Sequence, residues 1–342
     1  MAAIPTPWHA TGLPLLLEGR DLPAHLVTAA VTDLTAGGFD EGLAAAILIA
    51  WRMKGESASE IAAAVEVLRA TMVRLVPPTR PVLDTCGTGG DGSSTFNVST
   101  AVALVVAGAG VPVVKHGNRS VSSRSGSADV LAELGVPVES GPDWSQACFV
   151  RGGFAFCLAP HFHPALAKVG PLRKKLGVRT VFNLLGPLLN PASAEHQLLG
   201  VGRAELLDPI AGALAALGTR HSFVVCGRDG LDEVSLAGPT HVRRVTAGAV
   251  EVLEWSPADF GLEPVAIADI RADGPAESAA IIRRLLSGQP GPARRMVLAN
   301  AAAALLAAGY KRDLMAGVAA SAHAIDSGRA GQVLELLSHR SA

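Results

Sequence analysis

From residue 15 to about 75 the apolar residues recur at helical spacing, alanine and leucine dominate, and β-branched runs are scarce. This pattern predicts a small helical unit. Gly55-Glu56-Ser57 interrupts it, and Ser59-Glu60 opens a further helix with an apolar stripe through Ile61, Val65 and Leu68. Pro77-Pro78 stops the run, because proline lacks an amide donor and fixes φ, which sets a boundary near residue 76. Beyond it, short apolar segments ending in glycine or polar residues alternate with alanine-rich helical stretches. Residues 81–84, 111–114, 154–158 and 223–226 read as buried strands, with 101–109 and 128–134 as helices between them. Residues 246–255 read as a hairpin carrying a peripheral strand, and 300–337 return to helical spacing. Strand, polar loop and helix in repetition predict an α/β fold: a small N-terminal helical domain, then a larger domain with a mostly parallel central sheet flanked by helices. Ligands of such sheets bind beyond the carboxyl ends of the strands, and the polar motifs of this chain fall there.

Composition narrows the class. No window approaches the roughly 18–20 consecutive apolar residues of a membrane span. The apolar run at 13–17 is too short for the core of a signal peptide, so a cytoplasmic protein without a membrane partner is expected. The formal net charge is −1 and no long basic block occurs, which removes the electrostatic footprint of a nucleic-acid binder but leaves room for a local basic pocket. Cys86, Cys148, Cys157 and Cys226 are widely spaced, without a CxxC pair, so neither a zinc site nor a disulfide frame is expected.

Two loops carry anion-binding chemistry. The first runs from Asp84 to Thr100 as DTCGTGGDGSSTFNVST, between a predicted strand and a predicted helix. Its glycines let backbone amides approach a ligand, the helix N-terminus adds donors, and the hydroxyls of Thr95, Ser99 and Thr100 add more. A tight turn accounts for Gly89-Gly90 but does not require Asn97, Ser99 and Thr100 at a helix entrance. The loop is neither a Walker A motif nor a GxGxxG fingerprint. The second loop, KHGNRSVSSRSGSAD from Lys115 to Asp129, packs three cations and five serines into a short span. That composition suits a phosphate ester or pyrophosphate, which needs charge and many donors. Ser127 also stands where it can cap the following helix.

A third motif begins at His161-Phe162-His163-Pro164 and continues through Lys168, Arg173, Lys174 and Lys175 to RTVFNLLGPLLNP, from Arg179 to Pro191. The interval from His163 to Arg173 suits a helix that aims the guanidinium at the loops, where it can grip a carboxylate at two points. Lys174 and Lys175 fit a solvated helix face. His161 and His163 lack a third ligand at fitting spacing, which favours capping or packing over metal binding. The fourth motif, from Gly227 to Ser235, sets Asp232 and Glu233 just past a predicted strand. Adjacent carboxylates at the rim of a phosphate site are the hard oxygen ligands that magnesium prefers.

GTGGDGxxTFNxST, KHGNRSVSSxSGSAD and RTxFNLLGPLxNP, in this order and followed by the acidic pair, closely resemble anthranilate phosphoribosyltransferase over nearly the whole chain. The resemblance implies transfer of the phosphoribosyl group of 5-phosphoribosyl-1-pyrophosphate to the amine of anthranilate, in tryptophan biosynthesis, with two magnesium ions (Mg2+). It implies that Gly87, Gly90, Asp91, Thr95, Asn97, Val98, Ser99 and Thr100 line the pyrophosphate and ribose side. Lys115, His116, Gly117, Asn118, Arg119, Ser120, Val121, Ser122 and Ser123, with Ser127, would close over the same substrate. Ser99, Asp232 and Glu233 would carry the metal. Asn118 and Arg173 would bind anthranilate, with Gly87, His116, His163 and Pro187 beside the aromatic path. Lys115, His116 and Arg173 are the expected catalytic groups: Lys115 neutralises charge on the departing pyrophosphate, and His116 accepts a proton late.

The resemblance further implies a helical domain over 1–76, against which a segment at about 165–190 packs, an α/β domain over 77–342, and a homodimer through the helical domain. Apolar faces at 15–17 and 44–51 are consistent with that dimer. Two positions depart from the family pattern. Cys86 replaces a frequent aliphatic residue, a silent core exchange. Ala167 stands where many members have lysine or arginine, so the charge and width at the outer end of the anthranilate channel do not follow from the resemblance. A pyrimidine nucleoside phosphorylase and a noncatalytic nucleic-acid-binding relative are the competing readings. Asp232-Glu233 and the Asn118 with Arg173 pair weigh against the first, and the absent basic excess against the second.

Overall fold

The computed structural model describes residues 7–120 and 124–339. Val121, Ser122 and Ser123, named above as substrate contacts, lie outside the described residues. Four helices come first: α1 (Trp8–Leu17), α2 (Ala24–Ala36), α3 (Glu41–Lys54) and α4 (Ala58–Thr71). Polar caps set two of their starts. The Asp40 side chain accepts from the Leu43 N–H at 2.8 Å and begins α3. Ser57, not Ser59-Glu60, begins α4, because Ser57 accepts from the Glu60 N–H and the Glu60 carboxylate accepts from the Ser57 N–H in return.

The chain then alternates: β1 (Leu83–Gly87), α5 (Val98–Gly108), β2 (Val113–Gly117), α6 (Ser127–Glu133), α7 (Gly141–Gly152) and β3 (Phe154–Leu158). Three short helices follow, α8 (Ala159–Phe162), α9 (Gly170–Leu176) and α10 (Phe182–Leu185), before β4 (His196–Gly200), α11 (Leu207–Ala216) and β5 (His221–Gly227). The hairpin of β6 (Thr240–Thr246) and β7 (Ala249–Trp255) precedes α12 (Pro275–Leu286), α13 (Pro292–Ala307), α14 (Leu314–Asp326) and α15 (Arg329–Ser338). The hairpin thus begins at Thr240 rather than Thr246, and its turn sits at Ala247-Gly248, both at positive φ.

One seven-stranded sheet has the order β3-β2-β1-β4-β5-β6-β7. The first five strands run parallel and the hairpin adds antiparallel strands at the edge. The chain moves outward from β1 to β2 and β3, then returns to the other side of β1 with β4. The order reverses there, between β1 and β4, and such a reversal opens a crevice at the carboxyl ends.

Alternation along each strand assigns the two faces. Leu198, Phe223 and Val225 face a core shared with α5, α6 and α12 to α15, whereas Leu199, Val224 and Cys226 face a second core. That second core is continuous with the helical unit: Ile47, Trp51, Ile61 and Val65 share it with Val169, Phe182, Leu185 and Leu188, and with α11. The faces of residues 44–51 proposed for a dimer are largely consumed here, since Ala44, Ile47, Leu48 and Trp51 are buried inside the chain. No helix among the described residues is long and apolar enough to cross a membrane.

Glu60 closes the helical unit. It is fully buried and accepts from the N–H of Leu22 (2.7 Å), the N–H of Ser57 (2.8 Å) and Lys54 Nζ (2.8 Å). Glu60→Ala leaves two amides and a buried ammonium short of an acceptor, and is expected to cost about 3 kcal/mol of stability. Denaturant unfolding checks this. An unchanged midpoint in Glu60→Ala would contradict it.

Candidate active site

A cavity of about 390 Å³ opens at the carboxyl ends of the parallel strands. The glycine-rich loop after β1 crosses its floor, between residues following β2 and β3 on one side and those following β5 on the other. Gly87 is required by close approach: a Cβ there would stand 2.6 Å from Asp232 Oδ2. Asp232 Oδ2 also accepts from the Gly89 N–H at 3.0 Å, so the acidic pair and the loop are built as one unit. The outer limb of the loop pairs with a distant segment through Phe96 N–H to the Ile270 carbonyl and Ala272 N–H to the Ser94 carbonyl, both 2.9 Å.

Asn97 begins α5 without capping it. Its side chain is used to join loops instead: Nδ2 donates to the Ser125 carbonyl (3.2 Å), and Oδ1 accepts from the hydroxyls of Ser125 (2.8 Å) and Ser278 (2.9 Å). Ser278 lies on α12 and is fully buried; its hydroxyl also accepts from the Asn97 N–H at 2.9 Å. Nothing in the sequence marked Ser278, which sits among apolar helical positions far from either loop. The second loop is closed by Asp129, whose carboxylate accepts from the N–H groups of Ser120 (2.9 Å) and Gly126 (3.0 Å). Ser127 is therefore the first helical residue of α6 rather than its cap, and its hydroxyl points back to the Asn118 carbonyl at 3.4 Å.

Lys115 is buried beneath the cavity floor. It donates to the Thr85 carbonyl and to Ser99 Oγ at 3.2 Å. Burial holds its pKa below the ordinary lysine value, opposed by the carboxylates of Asp84 and Glu233. Asp84 is likewise fully buried and is raised to about 6 by burial, against the pull of Lys115 and a 2.8 Å hydrogen bond from Asn190 Nδ2. Asn190 Nδ2 also donates to the Val114 carbonyl at 2.7 Å, tying the Asn190-Pro191 turn under β1 and β2.

Burial, then repulsion from Asp91, raises Asp232, and burial with the nearby Asp232 raises Glu233 well above the usual carboxylate range. Glu233 is offset by Lys115 and by the Ser99 N–H, an amide at the start of α5 that lacks an intrahelical partner. Asp91 Oδ2 is buried without a hydrogen-bond partner among the described residues.

Gly87, Gly90, Asp91, Thr95, Asn97, Val98, Ser99, Gly117, Asn118, Arg119, Ser120, Ser127, His163, Arg173 and Pro187 all line the cavity, as do Lys115, His116, Asp232 and Glu233. Thr100 does not. One residue beyond Ser99 on a helix turns about 100° away, and Thr100 is fully buried. Arg119 reaches the rim, but its guanidinium is paired with Glu139 and Asp129. His161 faces Glu139 at 3.5 Å and is separate from His163. The path from His163 to Arg173 is a 3₁₀ turn (Pro164–Lys168) followed by α9, not one helix, because Gly170-Pro171 restarts it. Ala167 is exposed outside the cavity lining, and the Lys168 ammonium is spent on the Ala36 carbonyl at 2.7 Å.

Residues 79–331 match a family model described as glycosyl transferase family, a/b domain, and residues 14–72 match its helical bundle domain. The chain is 49% identical over 322 residues to an anthranilate phosphoribosyltransferase of Anaeromyxobacter dehalogenans, covering 94% of this chain and 95% of that protein. A solved anthranilate phosphoribosyltransferase from Thermus thermophilus superposes with a TM-score of 0.88 at 40% identity, covering 96% of this chain and 99% of that one. The chain belongs to the anthranilate phosphoribosyltransferase family. A further family structure, from Saccharomyces cerevisiae in complex with PRPP and Mg, gives a TM-score of 0.86 at 30% identity, with 96% of each chain covered.

In this member of the family the carboxylates fit a hard cation. Asp232 and Glu233 are crowded together, and Asp91 leaves one buried oxygen unpartnered. No cluster of three or more histidine, cysteine or acidic side chains among the described residues could hold a metal alone. That donor set suits magnesium, which completes its shell with water and substrate oxygens.

Two histidines shape the opposite side of the cavity. Their rings lie 4.9 Å apart, edge to face. His116 Nδ1 is 3.0 Å from the Gly186 carbonyl, which can only accept, so Nδ1 carries the proton and Nε2 keeps a buried, unpartnered lone pair. His163 bonds the Leu189 carbonyl and likewise leaves Nε2 unpartnered. Burial, reinforced by His163, lowers the His116 pKa to about 3, and burial lowers that of His163 to about 4. Both values lie below the ordinary 6.5, so the unfolded chain binds more protons between them. The stability these rings contribute is complete above pH 6.5 and is lost as pH falls toward 4 and then 3. Nitrogen NMR of the labelled imidazoles is expected to show both rings neutral at about pH 5.5. An imidazolium signal from His116 at that pH would overturn the assignment.

Proposed function

We propose that this chain transfers the phosphoribosyl group of 5-phosphoribosyl-1-pyrophosphate to the amine of anthranilate, giving N-(5-phosphoribosyl)anthranilate and pyrophosphate in tryptophan biosynthesis. The observation that carries this reading is the division of one cavity into two chemistries. Toward β5 lie Asp91, Asp232 and Glu233 beside glycine-rich backbone; toward β3 lie Arg173, His116, His163 and Pro187. Arg173 has no ion-pair partner among the described residues, and its guanidinium carbon lies 5.7 Å from the centre of the Phe182 ring. Burial lowers its pKa. A metal-assisted diphosphate and an aromatic carboxylate require these two environments together.

In this reading Gly87, Gly90, Asp91, Thr95, Asn97, Val98 and Ser99 receive the diphosphate and ribose, with residues 115–120 and Ser127 across from them. Arg173 takes the anthranilate carboxylate in two hydrogen bonds, and Asn118 adds a third. The amine nitrogen attacks the ribose C1, the bond from C1 to the pyrophosphate oxygen breaks, and its electron pair leaves with pyrophosphate. Ser99, Asp232 and Glu233 would hold magnesium, two ions per site, which when bound would supply positive charge to the diphosphate oxygens. Lys115 adds charge from beneath the floor through its contact with Ser99 Oγ. The nitrogen then sheds a proton, which His116 Nε2 accepts late; an N-aryl ammonium is acidic enough that a weak base suffices. Positioning and electrostatics carry the rate. The reading includes a division into a helical unit over 1–76 and an α/β unit over 77–342. It also includes a homodimer through the helical unit, where Leu17 and Met53 are exposed.

Purified chain incubated with both substrates and magnesium is expected to form N-(5-phosphoribosyl)anthranilate and pyrophosphate, and EDTA to abolish it. Arg173→Ala is expected to raise the KM for anthranilate about tenfold or more while leaving that for the other substrate within about twofold. Turnover that persists in EDTA would remove the metal from the reading. An unchanged anthranilate KM would remove Arg173.

A further inference from the structure

We propose that Arg179 is a positioning residue that turns the glycine-rich loop toward the diphosphate. This deepens the function proposed above and rests on it. Arg179 stands at the turn before α10, where the Thr180 N–H is held by Asn183 Oδ1 at 3.0 Å, and its side chain reaches across the cavity to the loop after β1. Its Nη1 donates to the Gly89 carbonyl at 2.8 Å and its Nη2 to the Thr88 carbonyl at 3.1 Å. Two adjacent carbonyls are thus captured by the two arms of one planar group, a geometry that lysine cannot reproduce.

The consequence follows from peptide planarity. In a trans peptide the N–H points opposite to the C=O. With the Thr88 carbonyl drawn to Arg179, the Gly89 N–H points the other way, and it meets Asp232 Oδ2 at 3.0 Å. With the Gly89 carbonyl drawn to the same guanidinium, the Gly90 N–H also points away from it, and no acceptor among the described residues takes it. That amide is left for a ligand oxygen on the cavity lining. Gly90 has a φ of +70°, a conformation that favours glycine, and a Cβ there would push Arg179 Nη1 aside.

The charge of Arg179 is also available. No ion pair among the described residues involves it, its Nε is buried without a partner, and Asp232 is the carboxylate that attracts it most. A guanidinium spent on carbonyls rather than on a carboxylate keeps its positive potential, which favours a polyanion in the same cavity.

The test uses the full chain with Arg179→Met and Arg179→Lys. By calorimetry with magnesium present, the dissociation constant for 5-phosphoribosyl-1-pyrophosphate is expected to rise about tenfold or more in Arg179→Met and to recover only in part in Arg179→Lys. The KM for anthranilate at saturating co-substrate should stay within about twofold. Without ligands, hydrogen exchange at the amides of residues 88–90 should quicken about tenfold in Arg179→Met, with the melting temperature little changed. If Arg179→Met does not fold, Arg179→Lys carries the same comparison. Unchanged diphosphate affinity and exchange, or an equal rise in the anthranilate KM, would overturn the inference. A wild-type chain that neither binds the diphosphate substrate nor turns over would overturn the proposed function and this inference with it; a wild-type chain that does both beside an unaltered Arg179→Met overturns the inference alone.

Discussion

The catalytic edge of this protein depends on one buried ammonium. Lys115 arises from β2, donates to a carbonyl of β1 and to the hydroxyl of Ser99 at the start of α5, and is almost wholly removed from water. Burying such a charge is unfavourable by several kcal/mol unless acceptors and opposite charge surround it. The acceptors come from β1 and α5, and the opposite charge from Asp84 and Glu233. Two strands, the first helix after the glycine-rich loop and the acidic segment after β5 are therefore held in one relation by a shared electrostatic need. The loops that face substrate are built outward from that fixed base.

Polarity across the cavity follows from strand order. Because β4 and β5 lie on one side of β1, and β2 and β3 on the other, the acidic segment and the histidines cannot mix. Neutral histidines stand beside Arg173, which has no ion-pair partner among the described residues, and leave that side fit for one carboxylate. Crowded carboxylates beside backbone amides leave the other side in need of a cation.

Much of this was legible in the chain. The repeated strand, polar loop and helix predicted the parallel sheet, and β3 falls where its apolar run placed it. β1 and β2 begin two residues later than read and extend into polar residues, since Lys115, His116 and Asp84 are buried through partners that only the fold supplies. β4 escaped notice for the same reason: His196 and Gln197 look exposed in sequence, yet one meets the His221 carbonyl at 3.1 Å and the other the Pro187 carbonyl at 2.8 Å. Motif residues next to their own strand tips line the cavity, because a loop after a parallel strand can reach little else. Helical rotation separates Thr100 from Ser99 and buries it off the cavity lining. Ser278 was invisible because its role is defined by Asn97, which the chain approaches only after α12 has packed.

The shared core beneath the helical unit bears on how the chain is made. Synthesis delivers α1 to α4 first, but Val181, Phe182, Leu185, Leu188 and the residues of α11 that complete their core come more than a hundred residues later. At about 5–20 residues per second, the apolar faces of the early helices wait for several seconds or longer without their partners. During that interval Trp51 and Ile61 belong to no finished core. The nascent chain is thus most in need of protection from aggregation at the stage when its most helical and seemingly self-sufficient part has already emerged.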